Sequence, residues 1–201
     1  GKIISERWAD KDDPMFTGRF TISSRNSKVK IISFEENFKG ALKKMLREYL
    51  EYTAKFLKDE PWNCSIDIEH EIAKTFDNLG QFKAPKGEIL LAVINGKAIG
   101  TASIKMIRDN ASELKRMYIE PNFQGQKIGQ LLLDATFKKS IQFGANEMYL
   151  ESPPPFKPAH KLYQKNGFEM IEEYLEVSIP QELRFNWVYM KKSNLDKAEN
   201  K

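Results

Sequence analysis

A short loop with two glycines, Gln124–Gly129, is the stretch of the sequence best suited to chemistry. It follows a predicted strand that ends at Pro121. The helix after it is predicted from apolar residues at helical spacing, namely Ile128, Leu131, Leu132 and Ala135. Unpaired N–H groups and a partial positive charge at a helix N-terminus form an anion site, for which phosphate is the usual ligand. The loop is therefore predicted to bind phosphate, although an ordinary tight turn would show the same glycines.

The loop does not match the two best-known phosphate motifs. A P-loop has Lys and then Ser or Thr after its last glycine, where this chain has Gln130, and the dinucleotide pattern Gly-x-Gly-x-x-Gly is absent. Gly125 and Gly129 have the spacing seen in membrane helix pairs, but the polar residues around them exclude a membrane helix.

The elements that position this loop are predicted from hydrophobic periodicity and turn residues. Asn95-Gly96 indicates a hairpin, so three consecutive antiparallel strands lead into the loop. The strand before the loop and the strand after its helix should be parallel, joined by a right-handed crossover. Helices are predicted over residues 35–56, 65–76, 126–143 and 158–166, and strands over residues 29–34, 88–95, 97–108, 112–120, 147–151, 168–179 and 184–191.

Two segments of the sequence resemble the GCN5-related N-acetyltransferase (GNAT) family. One is the loop Gln124–Gly129 with the leucines after it, and the other is Ala159-x-x-Leu-Tyr-x-x-x-Gly-Phe168. The resemblance covers roughly residues 29–191. The family loop is written Gln/Arg-x-x-Gly-x-Gly/Ala, and Lys127 stands at its first glycine. We expect Lys127 to be tolerated, because a residue entering a helix can have a negative φ, and its N–H and ammonium remain available to phosphate.

This resemblance implies an α/β fold with a mixed, mostly antiparallel twisted sheet of about six to seven strands and flanking helices. A splayed parallel strand pair would form the site of the cofactor, acetyl-CoA, whose pantetheine amides would pair with the main chain like an extra strand. The cofactor-binding residues implied are Met117, Tyr118, Ile119, Gln124, Gly125, Gln126, Lys127, Ile128, Gly129, Gln130 and Tyr163.

Acetyl transfer to an amine needs a base, because a free lysine amine has a pKa of about 10.4. Glu113, Glu120 and Glu151 are the candidates, and each could act directly or through water. Glu113 is predicted on the same strand face as Met117 by alternation, and it looks like the acidic position of related sequences. A surface ion pair with a neighbouring cation would explain Glu113 equally well.

Tyr163 corresponds to the family tyrosine that can protonate the departing thiolate, and it could instead only hold the cofactor sulfur. His160, one turn earlier, is interpreted as a satisfied surface histidine. Nothing in the chain indicates a covalent intermediate, and the single cysteine, Cys64, excludes a cysteine-based zinc site; no metal is predicted.

The prediction is therefore an N-acetyltransferase that moves the acetyl group of acetyl-CoA to a primary amine by direct attack in a ternary complex. A non-catalytic acyl-CoA-binding sensor on the same fold is the alternative. The acceptor is a small-molecule or protein amine, with no nucleic acid or membrane partner: the net charge is +4, and no apolar run of about 18 residues occurs. A cytoplasmic monomer or homodimer is expected, with an extension (residues 1–28), a GNAT domain (29–192) and a polar tail (193–201).

Overall fold

The computed structural model describes residues 21–24, 27–59 and 61–195. Most of the predicted N-terminal extension and most of the predicted tail lie outside the described residues. Within the described part, no helix has the length and apolar character needed to cross a membrane.

Eight strands and four helices build the described part of the chain, close to the predicted order. The strands are β1 (Thr21–Ser24), β2 (Ser27–Ser33), β3 (Gly87–Ile94), β4 (Lys97–Arg108), β5 (Ala111–Ile119), β6 (Glu147–Ser152), β7 (Glu169–Ile171) and β8 (Val188–Ser193). The helices are α1 (Lys39–Leu57), α2 (Ile68–Asp77), α3 (Ile128–Gln142) and α4 (Lys157–Lys165).

All eight strands belong to one sheet, in the order β1-β2-β3-β4-β5-β6-β8-β7. The β5–β6 pair is parallel, as predicted, and the other six pairings are antiparallel, so the sheet is mostly antiparallel. The hairpin between β3 and β4 turns at Asn95 and Gly96, which both have positive φ. The predicted mixed α/β fold is confirmed, and β1 is a strand beyond the six to seven expected.

The sheet separates two sets of helices. Helix α3 covers one face, where Leu132 and Leu133 are fully buried and the helix packs on β3, β4 and β5. Helices α1 and α2 cover part of the other face, with Met45 and Ile72 in the core. The rest of that second face is covered by the segment 172–187 and the end of α1.

The predicted strand over residues 168–179 is mostly wrong. Pairing stops after Ile171, at the end of β7. The chain then turns Tyr174 and Val177 into the core beside Trp187 instead of continuing along the sheet. Apolar residues that pack from a loop have the same composition as a short buried strand, so periodicity alone does not distinguish them.

Strand β5 contains a β-bulge that the alternation argument did not anticipate. On β4, Thr101 and Ser103 are two residues apart, but their partners Tyr118 and Lys115 are three apart. Two residues of β5, Arg116 and Met117, therefore lie opposite the single residue Ala102 of β4. Arg116 has a φ of 53°. A bulge shifts the alternation of side chains by one residue, so the residues before and after it exchange faces.

Candidate active site

The parallel strands β5 and β6 separate at the bulge. Their last paired residues are Leu114 and Leu150, whereas β6 continues to pair with β8 as far as Ser152. The edge of β5 that faces β6 is therefore unpaired over residues 115–119. The three strand residues predicted to bind the cofactor, Met117, Tyr118 and Ile119, all lie on this stretch.

The loop after β5 presents its own unpaired main-chain donors. The N–H groups of residues 125–130 donate to no acceptor in the described part of the chain. Gly125 has a φ of 75°, and a side chain there would meet open space, so the loop surface is accessible. Unpaired N–H groups at the start of a helix favour the binding of an anion.

Lys127 enters α3 with a φ of 63°, so the expected negative φ is wrong. The left-handed conformation costs a non-glycine residue roughly 1–2 kcal/mol, which explains why the family pattern has glycine at this position. The N–H of Lys127 nevertheless remains unpaired and available to an anion.

The remaining loop residues hold the loop on the fold. The Gln124 side chain donates a hydrogen bond of 3.0 Å to the Ile119 carbonyl, and that of Gln126 donates one of 3.2 Å to the Asn122 carbonyl. A Cβ on Gly129 would lie 3.1 Å from Leu162 Cδ2, so glycine lets α3 approach α4 closely.

The other two residues predicted at the start of α3 anchor the helix. Ile128 is buried in the core beneath the loop. The Gln130 amide nitrogen lies 2.7 Å from Asn166 Oδ1 and so ties α3 to the end of α4. Both side chains therefore support the loop, while their N–H groups stay available.

Tyr163 lies beside the strand opening. Its side chain is buried, and its hydroxyl donates a hydrogen bond to Met117 Sδ over 3.7 Å. Burial, with the nearby Tyr49 and Glu151, raises the pKa of Tyr163 well above its ordinary value. The hydroxyl is therefore protonated at neutral pH and is available as a hydrogen-bond donor.

Glu113 does not share a face with Met117, so that part of the prediction is wrong. The bulge between them reverses the alternation: Met117 packs on the α3 side, and Glu113 points to the opposite side. There Glu113 is fully buried; Tyr174 Oη donates to it over 2.6 Å, and Lys105 and Lys115 lie 3.1 and 3.3 Å away. Its catalytic role stays a prediction.

The two other candidate bases differ in their surroundings. Glu120 forms ion pairs with Lys44 (2.7 Å) and Lys97 (2.9 Å). Although desolvation opposes them, these two hydrogen bonds lower the pKa of Glu120 and keep it ionised. Burial raises the pKa of Glu151. Glu151 accepts a hydrogen bond from Trp187 Nε1, and Lys115 lies 3.7 Å away.

Sequence reasoning missed several partners of these groups. Tyr174 and Trp187 come from two separate predicted strands, residues 168–179 and 184–191, and each donates a hydrogen bond to a candidate base. Arg116 is adjacent in the sequence to other charged residues, and nothing in that pattern predicts its position at the bulge. One signal was available: the bulky apolar residues of β5, Leu114 and Met117, are three apart, which breaks a two-residue period.

The interpretation of His160 as a surface residue is also wrong. The side chain is buried, and its Nε2 lies 2.9 Å from Ser152 Oγ. Burial, followed by the charge of Lys157, lowers the pKa of His160. A neutral imidazole with a hydrogen-bond partner fits a structural role between α4 and the end of β6.

A model of the acetyltransferase (GNAT) family matches residues 43–168, which is more than half of the chain. The chain is 30% identical over 127 residues to an uncharacterized N-acetyltransferase of Schizosaccharomyces pombe, a match that covers 62% of this chain and 73% of the relative. This chain therefore belongs to the GNAT acetyltransferase family, whose members take the acetyl group from acetyl-CoA. That assignment confirms the resemblance found in the sequence.

Solved structures agree on the fold. The PaiA N-acetyltransferase of Thermoplasma acidophilum, in complex with coenzyme A, has a TM-score of 0.64 at 21% identity, covering 82% of this chain and 98% of that one. The protein yncA of Salmonella typhimurium, solved with its cofactor acetyl-CoA, has a TM-score of 0.58 at 17% identity, covering 82% and 93%.

Replacing Lys127 with glycine should stabilise the folded chain by roughly 0.5–1 kcal/mol. Glycine removes the left-handed backbone penalty, and its greater freedom in the unfolded chain offsets part of that gain. Urea unfolding measures the difference. Lys127→Ala is the matched control, because it removes the ammonium and keeps Cβ, so its stability should stay near that of the parent. If both variants were stabilised equally, the effect would come from removal of the Lys127 ammonium and not from the backbone conformation.

Proposed function

We propose that this protein transfers the acetyl group of acetyl-CoA to a primary amine by direct attack in a ternary complex. One observation carries the proposal: β5 leaves β6 after Leu114 and leads into a loop whose N–H groups, at residues 125–130, have no partner in the described part of the chain. The N–H groups of the loop would hold the diphosphate, and the open edge at residues 117–119 would pair with the pantetheine amides. Bound acetyl-CoA supplies the activated acetyl thioester.

Glu151 is the base that the surroundings favour among the three candidates. Glu120 is ion-paired with two lysines, and Glu113 is enclosed by two lysines and Tyr174. Glu151, by contrast, has a raised pKa and lies near enough to Tyr163 to affect the pKa of its hydroxyl. A carboxylate with a raised pKa in a partly dry site accepts a proton from an amine more readily than a strongly ion-paired one.

Tyr163 Oη would donate a hydrogen bond to the sulfur as negative charge develops there. Its raised pKa supports hydrogen-bond donation more than complete proton transfer, because a weaker acid gives up its proton less readily. The contact with Met117 Sδ already places one sulfur atom against this hydroxyl.

Gly129→Glu should weaken acetyl-CoA binding at least tenfold, because the new side chain would push the start of α3 away from Leu162 and would add negative charge near the proposed diphosphate site. Isothermal titration calorimetry measures the affinity. Gly40→Glu is the matched control, since Gly40 is exposed at the start of α1 and a Cβ there meets nothing within 4 Å. An unchanged affinity in Gly129→Glu, with the fold intact, would refute the loop assignment.

Glu151→Gln should lower kcat/KM about 100-fold, the usual contribution of a general base. In the parent, activity rises with pH through the raised pKa of Glu151, because only the carboxylate accepts a proton. The variant should lack that limb of the pH profile, while the limb set by the amine remains. Glu113→Gln is the comparison: loss of activity there, with Glu151→Gln fully active, would assign the base to Glu113.

Tyr163→Phe should lower kcat about 100-fold and change acetyl-CoA affinity far less, as for loss of one donor to a developing negative charge. Thiol release with a panel of amines gives kcat, and calorimetry gives the affinity. A variant with the turnover of the parent would remove Tyr163 from the mechanism.

A further inference from the structure

Arg116 stands out among the charged residues around the proposed site. The bulge holds its backbone at a φ of 53°, and its side chain is half-buried on the face covered by α1 and α2. The guanidinium lies over the Phe82 ring, 5.8 Å from the centroid. In the described part of the chain, it forms no ion pair and donates no hydrogen bond.

The carboxylates near Arg116 are paired with other cations. Glu113 lies beside Lys105 and Lys115, and Glu151 lies beside Lys115. These two carboxylates and two ammonium groups balance in charge, so the Arg116 guanidinium is an additional positive charge.

Glu71, on α2, also lies near enough to interact electrostatically with Arg116, but its ion pair is with Lys74, at 3.8 Å. Taking a cation out of water without a partner is costly, and a cation–π contact with Phe82 offsets only part of that cost. The site therefore favours a ligand that brings a negative charge.

Arg116 also lies close to the proposed chemistry. Tyr49 and Glu151 are near enough to both Arg116 and Tyr163 to influence the pKa values of both. Arg116 directly precedes Met117, whose sulfur accepts from Tyr163. An anionic group bound at Arg116 would therefore belong to the molecule that presents its amine to Glu151.

We propose that Arg116 binds a carboxylate of the acceptor, so that the acceptor is an amino acid or another amine that carries a carboxylate. This inference rests on the proposed acetyl transfer. A guanidinium binds a carboxylate through two parallel hydrogen bonds, which fixes orientation as well as charge. A carboxylate carries a single negative charge, which balances one guanidinium. A phosphate would bring more negative charge close to Glu151 and Glu71.

The test compares L-amino acids with their carboxamides as acceptors, using thiol release. The parent should prefer the carboxylate at least tenfold in kcat/KM. Arg116→Gln should reduce the ratio to about one while leaving the carboxamide within twofold and the acetyl-CoA affinity unchanged. Arg116→Lys keeps the positive charge but cannot make the two parallel hydrogen bonds of a guanidinium, so it should give an intermediate ratio. Arg47→Gln, which removes an arginine paired with Glu69, should keep the parent ratio.

Equal use of carboxylates and carboxamides by the parent, or an equal loss for both in Arg116→Gln, would overturn the proposal. A preference for O-phosphoethanolamine over β-alanine would overturn the choice of carboxylate. A separate binding measurement does not need turnover: with CoA present, N-acetyl amino acids should bind the parent more tightly than their amides, and Arg116→Gln should lose that difference. If this binding difference is found but no amine is acetylated, the transferase proposal fails and the Arg116 site stands.

Discussion

The β-bulge in β5 is the constraint on which the rest of the site depends. One additional residue ends the pairing with β6 after Leu114 and leaves the main chain beyond it open. The same residue turns Arg116 toward α1 and α2 and leaves Met117 on the α3 side. In the proposed reaction, this single local irregularity would provide main-chain groups for the donor and a side-chain cation for the acceptor.

Burial and charge pairing give the three candidate bases different surroundings. Glu113 and Glu120 each lie between two lysines. Although burial opposes them, the hydrogen bonds from Lys44 and Lys97 lower the pKa of Glu120. Glu151 has fewer compensating contacts and a raised pKa. The three candidate bases are all glutamates on or next to adjacent strands. They differ only in the charged and polar groups that surround each carboxylate.

Much of the fold could be predicted from the sequence, because its signals are local. The Asn95-Gly96 hairpin and the helix after the glycine loop follow from turn chemistry and from periodicity. The environment of Glu113 could not be predicted, because Tyr174 reaches it from 61 residues away and alternation fails at the bulge. The segment 172–187 escaped prediction for a related reason: its apolar residues pack without pairing.

The separation of the two faces of the sheet has a consequence for how donor and acceptor reach the site. The glycine loop and Tyr163 belong to the α3 face, whereas Arg116 and Glu151 belong to the face of α1 and the segment 172–187. In the proposed reaction, donor and acceptor would approach from opposite sides and meet in the gap between β5 and β6. The sheet would then separate the two substrates everywhere except at this gap, and neither molecule would have to pass the other on its way in or out.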